Sequence, residues 1–216
     1  MQTRGERARV RAVIPATLVV LLWSASAMTA EAQSGRRVPL EASVGAGAGA
    51  LWDDETNLGR GVTTAGGVAA LLGGKVRLGV DVDWTSHVRD SGYLRAEGDL
   101  VGLFVRASYL MRARDAAVRP VLGGSVGLLH SSGVLITPAT VFGPGGPLGS
   151  VSEERRPWAL TRPAFDLHGG VRLRLSDRLS LRPEGRWRAT FGSAQSPSIE
   201  PPLINIQGLV HLDIRF

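Results

Sequence analysis

The chain has no cysteine among its 216 residues, and aromatic residues make up only 6% of it. The first absence excludes a disulfide scaffold, a thiolate zinc site, a cysteine nucleophile and a lipid anchor on an N-terminal cysteine. Blocks of like charge are also missing. The formal charge of +6 is spread singly along apolar stretches, so it does not form the basic patch that nucleic acid would need. No stretch beyond the first 32 residues repeats with a helical period, which leaves few classes of protein open. Glycine is abundant: 28 residues, nearly twice the usual share.

Arg4, Arg7, Arg9 and Arg11 precede an uncharged run from Ala12 to Ala30, followed by Ala30-Glu31-Ala32. A basic start, a short apolar middle and small residues two apart predict a secretory signal peptide over residues 1–32, cleaved after Ala32. Its strongly apolar part, Ala16 to Trp23, is short for a membrane-spanning helix, which needs ~20 apolar residues. Residues 33–216 are then expected to form one folded domain.

From Val38 onward the dominant period is two. Val38, Leu40, Ala42, Val44, Ala46, Ala48, Ala50 and Trp52 alternate with Pro39, Glu41, Ser43, Gly45, Gly47, Gly49, Leu51 and Asp53, which is the pattern of a strand. Seven further alternating segments follow, at 62–72, 76–84, 101–109, 118–128, 165–175, 179–191 and 204–216. Eight strands of roughly 10 to 15 residues are expected. Their connections alternate in length. Gly73 to Lys75, Ala113 to Ala117 and Ser176 to Arg178 are tight, whereas Asp53 to Gly61, Thr85 to Gly98, Ser131 to Thr161 and Gly192 to Leu203 are long. Short turns at one end and long loops at the other predict an all-β fold, an eight-stranded antiparallel up-and-down transmembrane β-barrel of the bacterial outer membrane.

The polar rows decide between a membrane barrel and a soluble one. A soluble barrel would turn long solvated side chains outward, but these rows carry Gly45, Gly47, Gly49, Gly123 and Gly127, as a crowded interior requires. They also carry both signs of charge at similar depth. Glu41, Asp81, Asp83, Arg106, Arg119, Asp166, Arg172, Arg182, Glu184, Arg186 and Arg188 are expected to form an ion-pair network inside the lumen. If Leu175 pairs with Leu179, Asp166 lies opposite Arg188, Arg172 opposite Arg182, and Glu184 diagonal to Arg172. Trp52, Trp84 and Phe191 at the loop ends and Tyr109 at a turn end read as interfacial girdles, while Trp158 is out of register and is expected in a loop.

Val210, Leu212, Ile214 and the terminal Phe216 are apolar at every second position and end on an aromatic ring. This stretch resembles the signal by which the outer-membrane assembly machinery recognises its barrels. Arg119-Pro120-Val121-Leu122-Gly123-Gly124 and Leu179-Ser180-Leu181-Arg182-Pro183-Glu184 resemble the fifth and seventh strands of the small outer-membrane β-barrel domain family, the OmpA- and OmpX-like barrels. The resemblance implies the fold and the outer-membrane location, with lipid, lipopolysaccharide and the assembly machinery as partners and a monomer as the state. It implies no activity. A periplasmic peptidoglycan-binding domain, which some members carry, is not expected in this sequence.

Three chemical candidates stand out. His130-Ser131-Ser132 places a His and a Ser two apart, as outer-membrane lipid A deacylases do, but Gly133 stands where that family has Asn and no carboxylate is placed by spacing to orient the ring. Asp53-Asp54-Glu55 and Glu153-Glu154 lack the spacing of a cation site. His168 is expected to be a hydrogen-bonded interior residue, and His87 and His211 to be isolated. No catalytic residue, metal ligand or cofactor is assigned. The Gly-, Pro- and Ser-rich stretch from Gly133 to Ser152 reads as a mobile external loop. The expected function is therefore non-enzymatic, carried by external loops or by the envelope itself. One alternative is a narrow anion-preferring pore, because eleven basic groups in the lumen rows and turn ends face six acidic ones. The other is a lipid A deacylase-like enzyme.

Overall fold

The structure is a computed structural model describing residues 38–53, 56–90, 95–112, 116–143, 146–191 and 203–216. The expected signal peptide, most of the Asp53-Asp54-Glu55 cluster and most of the loop after Gly192 lie outside those residues. Eight strands follow one another: β1 (Leu40–Asp53), β2 (Thr56–Leu72), β3 (Val76–Asp90), β4 (Arg95–Leu110), β5 (Val118–Gly143), β6 (Gly146–Arg174), β7 (Leu179–Thr190) and β8 (Leu203–Arg215). Each pairs antiparallel with the next, and β8 returns to β1 to close the barrel. Closure sets Ala42, Val44 and Ala46 opposite Ile214, Leu212 and Val210, and Phe216 N–H donates to the Leu40 carbonyl at 2.9 Å. No free edge is left around the girth of the sheet.

Alternation sorts the side chains as a lipid solvent demands. Val105 is 63% exposed and Val126 62% exposed on the outside, while their neighbours Arg106 and Ser125 are buried within. Apolar side chains outside and charged ones inside define a transmembrane β-barrel, because hydrocarbon would not tolerate the reverse. The tight three-residue β2–β3 turn holds Gly73 and Gly74 at φ +57° and +72°, left-handed values that favour glycine. Inside, Gly123 faces His168 across the β5–β6 ladder, and a Cβ there would lie 2.4 Å from the ring Nε2. Glycine at this position makes room for a large lumen side chain.

The strand lengths depart from expectation. They run from 12 to 29 residues, and most of the expected loop from Ser131 to Thr161 is instead a β5–β6 hairpin whose register shifts between Thr140 and Phe142. Val134, Ile136, Thr137, Thr140, Val141 and Phe142 supply strand propensity that outweighs the glycines and prolines around them. Trp158 accordingly lies in β6, opposite Gly133. Past Ile136, its last partner on β4, β5 runs on to Gly143, about 23 Å at ~3.3 Å per residue. The hairpin therefore rises well above the rim. Two of the other expected loops also shorten, since β2 begins at Thr56, β3 reaches Asp90 and β4 begins at Arg95.

Candidate functional site: the lumen

Strand alternation delivers polar side chains from all eight strands into the lumen, where they form layers along the axis. At the turn end, Arg172 donates Nη1–H and Nη2–H to the two Glu41 carboxylate oxygens at 2.9 and 2.8 Å. Arg215 donates to the same carboxylate at 3.1 Å, and Arg77 stands 3.7 Å from it. Arg182 grips Asp213 with Nε and Nη2 at 3.1 and 3.2 Å. Arg119 donates to the Gly74 carbonyl at 2.6 Å, which ties β5 to the β2–β3 turn.

Glu184 is the hub of the middle layer. It accepts from Arg186 at 2.6 Å, pairs with Arg106 at 2.5 Å and is also bonded to Arg182. Asp81 takes Arg106 at 2.6 Å and Arg186 at 3.4 Å. Above them Arg188 makes a two-pronged bond to Asp83 at 3.0 and 2.7 Å, reaches Asp166 at 3.5 Å and lies 4.0 Å over the Phe104 ring. All these carboxylates and the guanidinium groups of Arg106, Arg182, Arg186 and Arg188 are buried. Such pairs add little net stability over an apolar filling, yet each is costly to break because its partner is left charged and unsolvated. Their geometry fixes which strands face one another.

The register expected for the β6–β7 hairpin places Asp166 opposite Arg188. The same register sets Glu184 opposite Gly170 and so diagonal to Arg172, as expected, but the charges of the two pair elsewhere. Glu184 bonds Arg106, Arg182 and Arg186, while Arg172 turns to Glu41, 131 residues away in sequence. Hairpin arithmetic sees only neighbours on adjacent strands, but a narrow lumen lets long guanidinium groups cross it. His168 is the hydrogen-bonded interior residue expected. His168 Nε2 accepts from Arg106 Nε–H at 3.1 Å and lies 2.9 Å from Ser108 Oγ, so its Nδ1–H faces Asp166 at 3.0 Å. His211 Nε2 lies 3.1 Å from Arg186 Nη2.

Two apolar clusters bracket this lattice, and neither is an expectation of the sequence reading. Leu51, Leu100, Phe104, Leu129, Ala164 and Leu203 pack together toward the loop end, and Leu71, Leu110 and Val121 toward the turn end. Their signal was present as apolar residues on otherwise polar rows: Leu51 follows Gly45, Gly47 and Gly49, and Leu100, Phe104 and Leu110 share a face with Arg106 and Ser108.

Outside, Tyr109 at the turn end and Phe191 at the loop end are exposed, Trp52 is half-buried near the loop end of β1, and Trp84, expected at a loop end, is half-buried in the middle of β3, which continues to Asp90. Phe165 packs edge-on to Trp187 and beside Phe191, at centroid distances of 5.5 and 5.2 Å. His130 also points outward, with Nδ1 2.8 Å from Thr161 Oγ1, whereas Ser131 turns into the lumen. The carboxylate nearest by register, Asp99, lies opposite Ser132 and is hydrogen-bonded with Trp84. Among the described residues no group of three or more ligand-type side chains converges as a metal site would require.

A closed eight-stranded barrel with an apolar exterior and a charged interior is the architecture of the small outer-membrane β-barrels, the OmpA- and OmpX-like class. Solved structures of that class superpose on it. Neisserial surface protein A matches with a TM-score of 0.56 at 13% identity, covering 82% of this chain and 97% of that one. A major outer membrane protein from Thermus thermophilus matches with a TM-score of 0.54 at 15% identity, covering 82% of this chain and 99% of that one. At such identities the likeness is one of fold. No protein-family model and no curated sequence matches the chain.

Proposed function

We propose that this chain is a non-enzymatic protein of the bacterial outer membrane whose lumen is sealed and whose activity lies at the loop end or in the envelope it helps to build. The observation that carries the reading is the stacking in the lumen: an apolar cluster near each end and a lattice of buried ion pairs between. Eight strands enclose a space that side chains can fill, so a path for ions would have to displace Leu51, Leu100 and Phe104 from the axis. Three features support the outer-membrane setting: the apolar exterior, the aromatic side chains near both ends, and the alternation of Val210, Leu212, Ile214 and Phe216 that the assembly machinery would read. Among the described residues the β5–β6 hairpin runs furthest past its neighbouring strands and is the natural seat of any contact with outside partners.

Planar-bilayer conductance tests the reading. Folded, inserted protein should give no channel steps. Reproducible anion-preferring steps, with a preference altered by charge reversal at Arg186 or Arg188, would replace the sealed barrel with the narrow pore.

A further inference from the structure

Two of the arginines that hold Glu184 also hold a histidine ring. Arg106 pairs with Glu184 at 2.5 Å and donates Nε–H to His168 Nε2 at 3.1 Å. Arg186 donates to Glu184 at 2.6 Å and stands 3.1 Å from His211 Nε2. A guanidinium group carries donors only, so both Nε2 atoms accept, and an accepting Nε2 means a neutral ring with its proton on Nδ1. Both rings are buried. His168 meets Arg106 and Ser108 from β4, Gly123 from β5, Asp166 from its own strand, and Arg186 and Glu184 from β7. His211 meets Arg182, Arg186 and Glu184 from β7, Gly45 from β1 and Arg106 from β4, with Asp213 two residues along its own strand.

A proton added at Nε2 turns the acceptor into a donor. The bond from the arginine then breaks, and two cations face each other in a space without solvent. Asp166 offsets the new charge on His168 through Nδ1, whereas His211 Nδ1 has no partner among the described residues. We propose that His168 and His211 make the lumen lattice acid-sensitive. Neutral, the two rings fix Arg106 and Arg186 in place around Glu184. Each proton taken up at Nε2 releases one arginine from its ring and adds a cation beside the hub, so the middle layer loosens in acid and re-forms when the proton leaves. The apolar clusters at the two ends contain no titratable group, so the inference does not depend on whether the lumen conducts.

The unfolded chain takes up the same protons freely, at the ordinary imidazole value of about 6.5. The contribution of the two bonds is therefore complete above about pH 6.5 and lost as the pH falls below it, by up to about thirtyfold per ring in the folding equilibrium at pH 5. Carboxylates ordinarily titrate lower, at about 4. Reversible urea unfolding in lipid vesicles at pH 7.5 and at pH 5 reads the loss. The parent chain should lose at least about tenfold more than His168→Gln/His211→Gln, whose amides keep an acceptor for each arginine but take no proton. His130→Gln, at an exposed ring, should lose as much as the parent. Nitrogen-15 NMR of the histidine-labelled parent chain in detergent, assigned with the single variants, gives a second reading that does not need the double variant to fold. Both rings should be neutral and protonated on Nδ1 at pH 7.5, and should gain the Nε2 proton reversibly in acid. An equal acid loss in the folded double variant, or a ring that is charged or protonated on Nε2 at pH 7.5, would overturn the proposal.

Discussion

Replacing Glu184 by glutamine separates the energetics of the lumen from those of the surface. Glu184 is 1% exposed and pairs with Arg106 at 2.5 Å, while Arg95 and Glu97 near the loop end pair at the same 2.5 Å but are 55% and 43% exposed. Distance is thus held constant and burial changes. The glutamine would keep the shape and one acceptor oxygen, but Arg106, Arg182 and Arg186 would lose the shared negative charge in a space without solvent. Breaking a buried pair of this kind costs about 3–5 kcal/mol. The exposed pair is screened by water, and Glu97→Gln should cost about 0–1 kcal/mol. Reversible urea unfolding in lipid vesicles, followed by tryptophan fluorescence and checked by heat-shifted gel mobility, reads both. The reasoning would be refuted by a Glu184→Gln cost below about 1 kcal/mol, since the hub charge would then be either hydrated or dispensable.

Other perturbations probe the remaining parts. Leu78→Arg places a charge on the lipid face of β3 and should cost about 2–4 kcal/mol in a bilayer, a loss that would be absent if that face met water; unfolding in vesicles measures it. Gly123→Ala should cost about 1–3 kcal/mol by the same assay, because the new methyl would lie 2.4 Å from His168 Nε2 and 2.2 Å from the Ala107 carbonyl oxygen. Phe104→Ala removes the largest ring of the loop-end cluster and the face beneath Arg188; conductance steps should appear in planar bilayers where the parent chain gives none.

The period of two and the alternating turn lengths were enough to read the barrel and its strand order, whereas Arg77, Arg162 and Asp213, also buried inside it, were not in the expected network. The period and the turn lengths were enough because those features are local or repeat along each strand. The partners were less legible. Asp166 opposite Arg188 follows from one hairpin, but Glu41 with Arg172 joins the first strand to the sixth across the lumen, a relation no spacing encodes. The hairpin above the rim was hidden by composition: glycine and proline between Gly133 and Ser152 suggested a loop, and the pairing of β5 with β6, shifted once between Thr140 and Phe142, overrides that signal. The apolar clusters were hidden for the opposite reason. Leu51, Leu100 and Leu129 look like breaks in a polar row until closure of the barrel brings them together.

The chain has no cysteine of its own, so single cysteines report without background, and the adjacent residues Ser125 and Val126 on β5 face opposite ways. Labelling of Ser125→Cys and Val126→Cys in sealed vesicles, with a charged water-soluble maleimide and with a lipid-soluble one, tests the central claim of an inverted, sealed barrel most directly. The expected result is that the cysteine at position 126 reacts with the lipid-soluble reagent alone and that the charged reagent labels neither site. Labelling at position 126 by the charged reagent would contradict the lipid-facing exterior, and rapid labelling at position 125 by it would contradict the seal.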